Sequence, residues 1–194
     1  MFETLKLYDR DIFLFLNGVH SPVLDSFMYY VSQIWVFFPL FLYWLFLVYK
    51  KTGAKKLLIL LGFMILLVTL TDQTSNQIKH AVKRYRPTHN IEIGPKVHTV
   101  YDYKGGQYGF FSGHASTSFG IAMFLCLLFS GRSPAFRSVF FLWAAITAYS
   151  RIYLGVHYPS DITVGIVTGL FWGFIIYKLT QNVFKKYFRE IIAI

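Results

Sequence analysis

Arg151, His157 and Asp161 stand within the stretch 150–161, which joins two apolar runs at 136–149 and 162–177. Charged groups in such a junction sit at or just beneath a bilayer surface, where an ionisable side chain is expected to have a function. Pro159 suits the first position of the following helix, which places Asp161 in its first turn. From there the carboxylate reaches back towards His157 and orients the imidazole. This is the base-and-orienter arrangement of covalent catalysis, and it leaves histidine free to act as nucleophile or proton carrier. Two further groups carry chemistry. Lys79 and Arg86 bracket a polar and basic stretch, and Ser112-Gly113-His114 stands at the start of another apolar run.

The elements that position these residues must cross a membrane. The 194-residue chain is 55% hydrophobic and 20% aromatic, with a mean hydropathy of +0.48, too apolar for an ordinary soluble domain. A span needs about 20 residues, so the length allows one domain of roughly five or six helices. We read residues 1–194 as a single all-α domain, a polytopic transmembrane bundle of five spans preceded by an N-terminal interfacial helix. Residues 2–16 mix apolar side chains with Glu3, Lys6, Asp9, Arg10 and Asp11, as a helix lying on the interface does. They show no apolar core of a cleavable signal peptide. Ser21-Pro22 starts the first span, expected to run to Val48 with a kink at Pro39. The second begins at Leu57 and reaches Lys79, the third covers 114–129, the fourth starts near Pro134 and ends at Tyr149, and the fifth covers 162–177.

Alternating turns then bring the end of the second span, the start of the third, the end of the fourth and the start of the fifth to one membrane face. Lys79 with Arg86, Ser112-Gly113-His114, Arg151, and His157 with Asp161 are expected to converge there. Asp72 and Asn76 lie below Lys79 within the second span, which implies either a polar cleft in the outer half of the bilayer or bridges between helices. Residues 84–111 form the one long connection, with Gly105-Gly106 as a hinge. His80, His89 and His98 read as solvated histidines in or near that connection and receive no role.

The formal charge of +10 would suit nucleic acid, but the 19 Lys and Arg gather at the ends of apolar runs. They read instead as topology signals and an anionic substrate. Lys50, Lys51, Lys55 and Lys56 place their loop in the cytoplasm, so the converging residues face the periplasm or exterior. Cys126 is the single cysteine and forms no intrachain disulfide.

Three cations in one partly dry site repel each other unless an anion of high charge joins them. Phosphate fits, because guanidinium groups bind it bidentately and lysine adds a point charge. Ser112-Gly113 at a helix start adds outward-facing N–H donors. Zinc held by His114, His157 and Asp161 is a possible reading that the neighbouring cations oppose.

Lys79 with Arg86-Pro87 after six intervening residues, Ser112-Gly113-His114, and Ser150-Arg151 with His157 and Asp161 together resemble the three signature motifs of the type 2 phosphatidic acid phosphatase superfamily. Phe111 stands where the family usually has proline. The resemblance covers 79–161 and implies hydrolysis in two steps without metal or other cofactor. It implies His157 as nucleophile, oriented by Asp161, and His114 as acid and then base. Lys79, Arg86, Ser112, Gly113 and Arg151 would hold the phosphoryl oxygens. The implied substrate is a membrane phospholipid, isoprenoid or lipid A phosphate, met by an enzyme of the bacterial inner membrane whose active site faces the periplasm. An anion transporter or channel would also use intramembrane cations, but it predicts broken helices in pairs and an internal repeat, and neither is present. The soluble vanadium peroxidases share the motif but not this apolar composition.

Overall fold

The computed structural model describes residues 2–189 and 192–194, and among them every regular element is helical. The helices are α1 (Phe2–Gly18), α2 (Pro22–Val31), α3 (Phe38–Val82), α4 (Gly113–Leu128), α5 (Pro134–Tyr153) and α6 (Pro159–Phe188). Trp35–Val82 and Pro159–Phe188 are long and apolar enough to cross a membrane, whereas α4 is a shorter apolar helix.

The run from Pro22 to Val48 is not one kinked helix. Ser21 caps α2 with its side chain on the Leu24 N–H, and Ser32 then ends that helix, its hydroxyl turned back onto the Tyr29 carbonyl at 2.7 Å. Gln33 is extended, a 3-10 turn follows at Ile34–Phe37, and only then does α3 begin. Pro39 therefore stands in the first turn of α3, where its missing N–H removes no helical bond, and it starts the helix that it was expected to bend. The rod bends elsewhere. Gly53, at φ 76° and ψ 172°, breaks α3 into two arms beside the basic cluster.

α4 is the hub, packed on α3, α5 and α6. It meets α6 along a seam of small residues. Gly165, Gly169 and Gly173 stand four residues apart on one face of α6, and a Cβ at Gly165 would lie 2.7 Å from the Ser112 carbonyl. Cβ atoms at Gly169 and Gly173 would collide with the carbonyls of Ser116 and Gly120. Backbones approach this closely in membrane bundles only where side chains are nearly absent. The opposite end is aromatic. Trp44 packs edge-on to Phe140 at 4.7 Å, and Trp143 meets Phe37 and Phe41. The last residues close that end, the Ile194 N–H donating to the Leu128 carbonyl at 2.8 Å.

α1 buries Phe13 against the Tyr158 ring and leaves Tyr8, Ile12 and Phe15 exposed. Its end is fastened by Asn17, whose amide donates to the Tyr153 carbonyl at 2.8 Å and accepts from the His98 N–H at 2.8 Å. His98, expected to be solvated, is half-buried there. Its Nε2 lies 2.8 Å from Asp25 and its ring stacks on His20 at 3.7 Å.

Candidate active site

The long connection folds back on itself before it reaches the site. Tyr85 and Tyr108 form an isolated antiparallel bridge, with the Arg86 N–H on the Gln107 carbonyl and the Gly109 N–H on the Arg84 carbonyl. This brings Arg86 and Gly109 up to the α5–α6 junction. The lack of a side chain at Gly109 matters here, because a Cβ would sit 3.2 Å from Asp161 Oδ2 and 3.1 Å from the Arg86 side chain. The Arg86 Nε donates to the Tyr108 carbonyl at 3.1 Å, which fixes the guanidinium from behind.

A cavity of about 310 Å³ opens where these elements meet, and Lys79, Arg86, His114, Arg151 and His157 all line it. Gly113 lines it too, near the Lys79 ammonium. Arg151 is buried. Its Nη2 donates to the Tyr103 hydroxyl at 2.7 Å, and its Nε has no partner. Burial, and then the Arg151 charge beside it, press the Arg86 guanidinium below its ordinary value, a stress that a bound anion relieves.

His157 lies in the connection between α5 and α6 and is almost fully enclosed. Its Nδ1 faces Asp161 Oδ2 at 3.4 Å, with Gly109 packed on the same side of the ring. With the carboxylate on that side the ring proton belongs on Nδ1, which leaves Nε2 with its lone pair. Burial, followed by the charges of Arg86, Arg151 and Lys79, holds the imidazole well below its ordinary value. That direction favours the neutral ring a nucleophile needs.

Asp161 makes the reach-back to the helix start expected from its position, with Oδ2 accepting the Tyr158 N–H at 3.0 Å. Its other oxygen accepts from Arg84 Nη1 at 2.7 Å. The same guanidinium donates through Nη2 to Asp9 of α1 at 2.6 Å and lies over the Tyr158 ring at 4.0 Å. Asp9 in turn accepts from the Ser160 N–H at 2.9 Å. Arg84, Asp9, Tyr103 and Gly109 were not singled out in the sequence. Arg84 was one arginine in a basic stretch, and its pairing with Asp9 is visible only once α1 is docked.

Ser112 behaves differently from the other motif residues. It is fully buried, its hydroxyl caps α4 on the Ala115 N–H at 3.3 Å, and its own N–H donates to the Asp161 carbonyl at 3.1 Å. The hydroxyl thus closes the start of α4 itself and the N–H joins it to α6, while Gly113 and His114 supply the cavity face of the helix start. Phe111, in the place of the family proline, is buried, and its carbonyl accepts from Ser75 at 3.1 Å. Asp72 lines the cavity below Lys79, with Asn76 donating to it at 3.0 Å.

The spacing of these residues agrees with comparison to known proteins. Residues 53–185 match the model of the PAP2 superfamily. The chain belongs to that superfamily. Among PAP2 relatives, it is 38% identical over 183 residues to the lipid A 4′-phosphatase of Porphyromonas gingivalis, covering 91% of this chain and 75% of the relative. To the lipid A 4′-phosphatase of Bacteroides thetaiotaomicron it is 37% identical over 187 residues, covering 94% and 81%. The crystal structure of Aquifex aeolicus LpxE matches with a TM-score of 0.67 at 28% identity, over 87% of this chain and 93% of that one. The PAP2 type phosphatidylglycerolphosphate phosphatase of Bacillus subtilis matches with a TM-score of 0.70 at 18% identity, over 93% and 88%, which bears on the fold alone.

Proposed function

We propose that this membrane lipid phosphatase of the PAP2 superfamily cleaves a phosphate ester or anhydride on a membrane lipid through a phosphohistidine, without metal. The observation that carries the reading is one cavity lined by three cations and two histidines, one of them backed by a buried carboxylate. His157 Nε2 attacks phosphorus while the bond to the lipid oxygen breaks and His114 gives that oxygen a proton. His114 then takes a proton from water, whose oxygen attacks phosphorus and breaks the N–P bond, releasing phosphate and free His157. Lys79, Arg86, Arg151 and the α4 N-terminus at Gly113, which Ser112 caps, hold the equatorial oxygens, where charge spreads in the transition state. Both Asp161 oxygens are committed to Arg84 and the Tyr158 N–H, which favours its role as orienter over that of metal ligand.

The lipid A 4′-phosphatase relatives favour a lipid A phosphate as substrate, with undecaprenyl pyrophosphate, phosphatidylglycerophosphate and phosphatidic acid as the other candidates. Purified protein in detergent should release phosphate from at least one of the four, and release should persist in EDTA. Loss of activity in EDTA, restored by a divalent ion, would overturn the mechanism. An anion transporter, not favoured by membership of the superfamily, predicts flux into vesicles with no turnover.

We read residues 1–194 as one domain in the bacterial cytoplasmic membrane, with five spans: the two arms of α3, then α4, α5 and α6. α1 rests on the interface with Tyr8, Ile12 and Phe15 towards lipid. The basic ends support a periplasmic site, since Lys55 and Lys56 lie over the Phe188 ring at the end of α6, away from the cavity. Cysteines at Lys51 and at Lys104, each in a Cys126→Ser background, report the orientation; Gly53 is avoided for its positive φ. A membrane-impermeant thiol reagent applied to intact cells should label position 104 and spare position 51. The reverse pattern would invert the topology.

A further inference from the structure

The phosphate-binding side chains account for only the upper part of the cavity. Three helices also present polar groups deeper in it, each in register below a residue of the proposed phosphate site. Asp72 lies two turns, about 10 Å, below Lys79 on α3. Thr117 lies one turn inside His114 on α4, and Thr147 one turn before Arg151 on α5, and all three line the cavity. Trp143 and Gln33 complete this belt, and below it the walls are apolar, with Phe37, Phe41 and Ile121.

Thr117 shares a hydrogen bond with Thr71 at 2.9 Å, but the other members of the belt are underused by the protein itself. The Thr147 hydroxyl and the Trp143 indole N–H are buried and have no partner. Asp72 receives one hydrogen bond, from Asn76, on Oδ2. The Thr147 and Trp143 groups are shut off from water, so a ligand that pairs with them gains what they otherwise lose. The ligand must offer acceptors to Thr147 and Trp143, and also donors to Asp72. A polyprenyl chain offers neither, and the ester groups of a diacylglycerol offer acceptors only. Sugar hydroxyls and amide N–H groups offer both.

The carboxylate also acts at a distance. Phosphate bound among Lys79, Arg86 and Arg151 is drawn by three positive charges, but a second phosphate attached beneath it would descend towards Asp72 and meet a like charge.

Resting on the lipid phosphatase reading above, we propose that Asp72, Thr147 and Trp143 form a headgroup subsite that takes a hydroxyl- and amide-bearing sugar directly attached to the phosphate. The subsite selects sugar monophosphate lipids and rejects polyprenyl diphosphates. Asp72 is its specificity residue.

The test compares kcat/KM for lipid A, undecaprenyl pyrophosphate and phosphatidic acid in mixed micelles, using the wild type, Asp72→Asn and Thr147→Val. Wild type should favour lipid A. Asp72→Asn should raise the ratio of undecaprenyl pyrophosphate to lipid A turnover by about tenfold, the scale set by one removed like-charge contact. Thr147→Val should lower lipid A turnover and leave phosphatidic acid within about threefold, as loss of one hydrogen bond implies. Competitive inhibition of the wild type by inorganic phosphate and pyrophosphate supplies a readout that needs no variant: pyrophosphate should bind no better than phosphate, although it carries more charge. A uniform change across all three lipids in Asp72→Asn would show that Asp72 acts only through Lys79 and would overturn the subsite. Equal wild-type use of the diphosphate would do the same while leaving the phosphatase reading intact. Failure on every lipid would remove that reading, and this one with it.

Discussion

His114→Ala protein mixed with labelled p-nitrophenyl phosphate should accumulate phosphohistidine at position 157, whereas His157→Ala should accumulate none. The two imidazoles line the same cavity but have different surroundings. His157 has the Asp161 carboxylate behind Nδ1, which favours the Nδ1–H tautomer and aims Nε2 forward. His114 stands in the first turn of α4, where it can meet the leaving oxygen. An activated ester such as p-nitrophenyl phosphate needs little protonation as it departs, so phosphorylation proceeds without His114 and hydrolysis then stalls for want of a base. A lipid phosphate is a poor leaving group and needs the acid in the first step. Turnover of lipid substrate by either variant should fall on the order of a hundredfold or more. Rapid quenching at alkaline pH preserves the N–P bond for mass spectrometry. Label retained on His157→Ala, or found at position 114 in the wild type, would exchange the two roles.

Arg84→Ala should cost both stability and turnover, although Arg84 is not among the residues lining the cavity. Its guanidinium is the ion-pair partner of a fully buried carboxylate, with side chains 25% and 0% exposed, and it joins that carboxylate to Asp9 of α1. Removing one member of a buried pair costs about 3–5 kcal/mol because the other charge is orphaned. The partial exposure of Arg84 lowers the expectation to the low end of that range. With Asp161 unpaired, the orientation of His157 loosens and kcat should fall on the order of a hundredfold, with KM changing less. Arg84→Lys should recover part of the loss, since one ammonium cannot reproduce a fork that reaches Asp9, Ser160 and Asp161 together. The double variant Arg84→Ala with Asp161→Asn should recover melting temperature in detergent but not activity, which separates support of the fold from positioning of the nucleophile. Wild-type kcat and melting temperature in Arg84→Ala would remove Arg84 from this role.

The helical class and the convergence of Lys79, Arg86, His114, Arg151 and His157 were legible because each depends on local information: apolar runs of a given length, and motifs whose members lie within a few turns. What was not legible depends on contacts distant in sequence. The apolar run from Pro22 gives little sign that it breaks at Ser32-Gln33, because the break is made by a serine hydroxyl folding back on Tyr29. Pro39 signalled a discontinuity, but not that it would begin a helix. Ser112 was read as a phosphate donor from its place before Gly113, yet it is fully buried, its N–H donates to the Asp161 carbonyl of a different helix and its hydroxyl oxygen accepts from the Ala115 N–H. His98 looked like any loop histidine, and only the folded chain brings Asp25 and His20 to it.

The glycine seam between α4 and α6 divides the cavity into unequal walls. His114 rides on one of two rods whose backbones touch, and His157 and Asp161 stand at the start of the other, so a side chain added at Gly165, Gly169 or Gly173 would force the rods apart and separate the two histidines. The facing wall is built otherwise. It comes from the broken stretch around Ser32 and Gln33 and the first arm of α3, where side chains rather than backbone set the width. Chemistry and fit are thus held by different parts of one small bundle. Substitutions at Gln33, Phe37 and Phe41 are therefore expected to change which lipids fit more than they change the hydrolytic step.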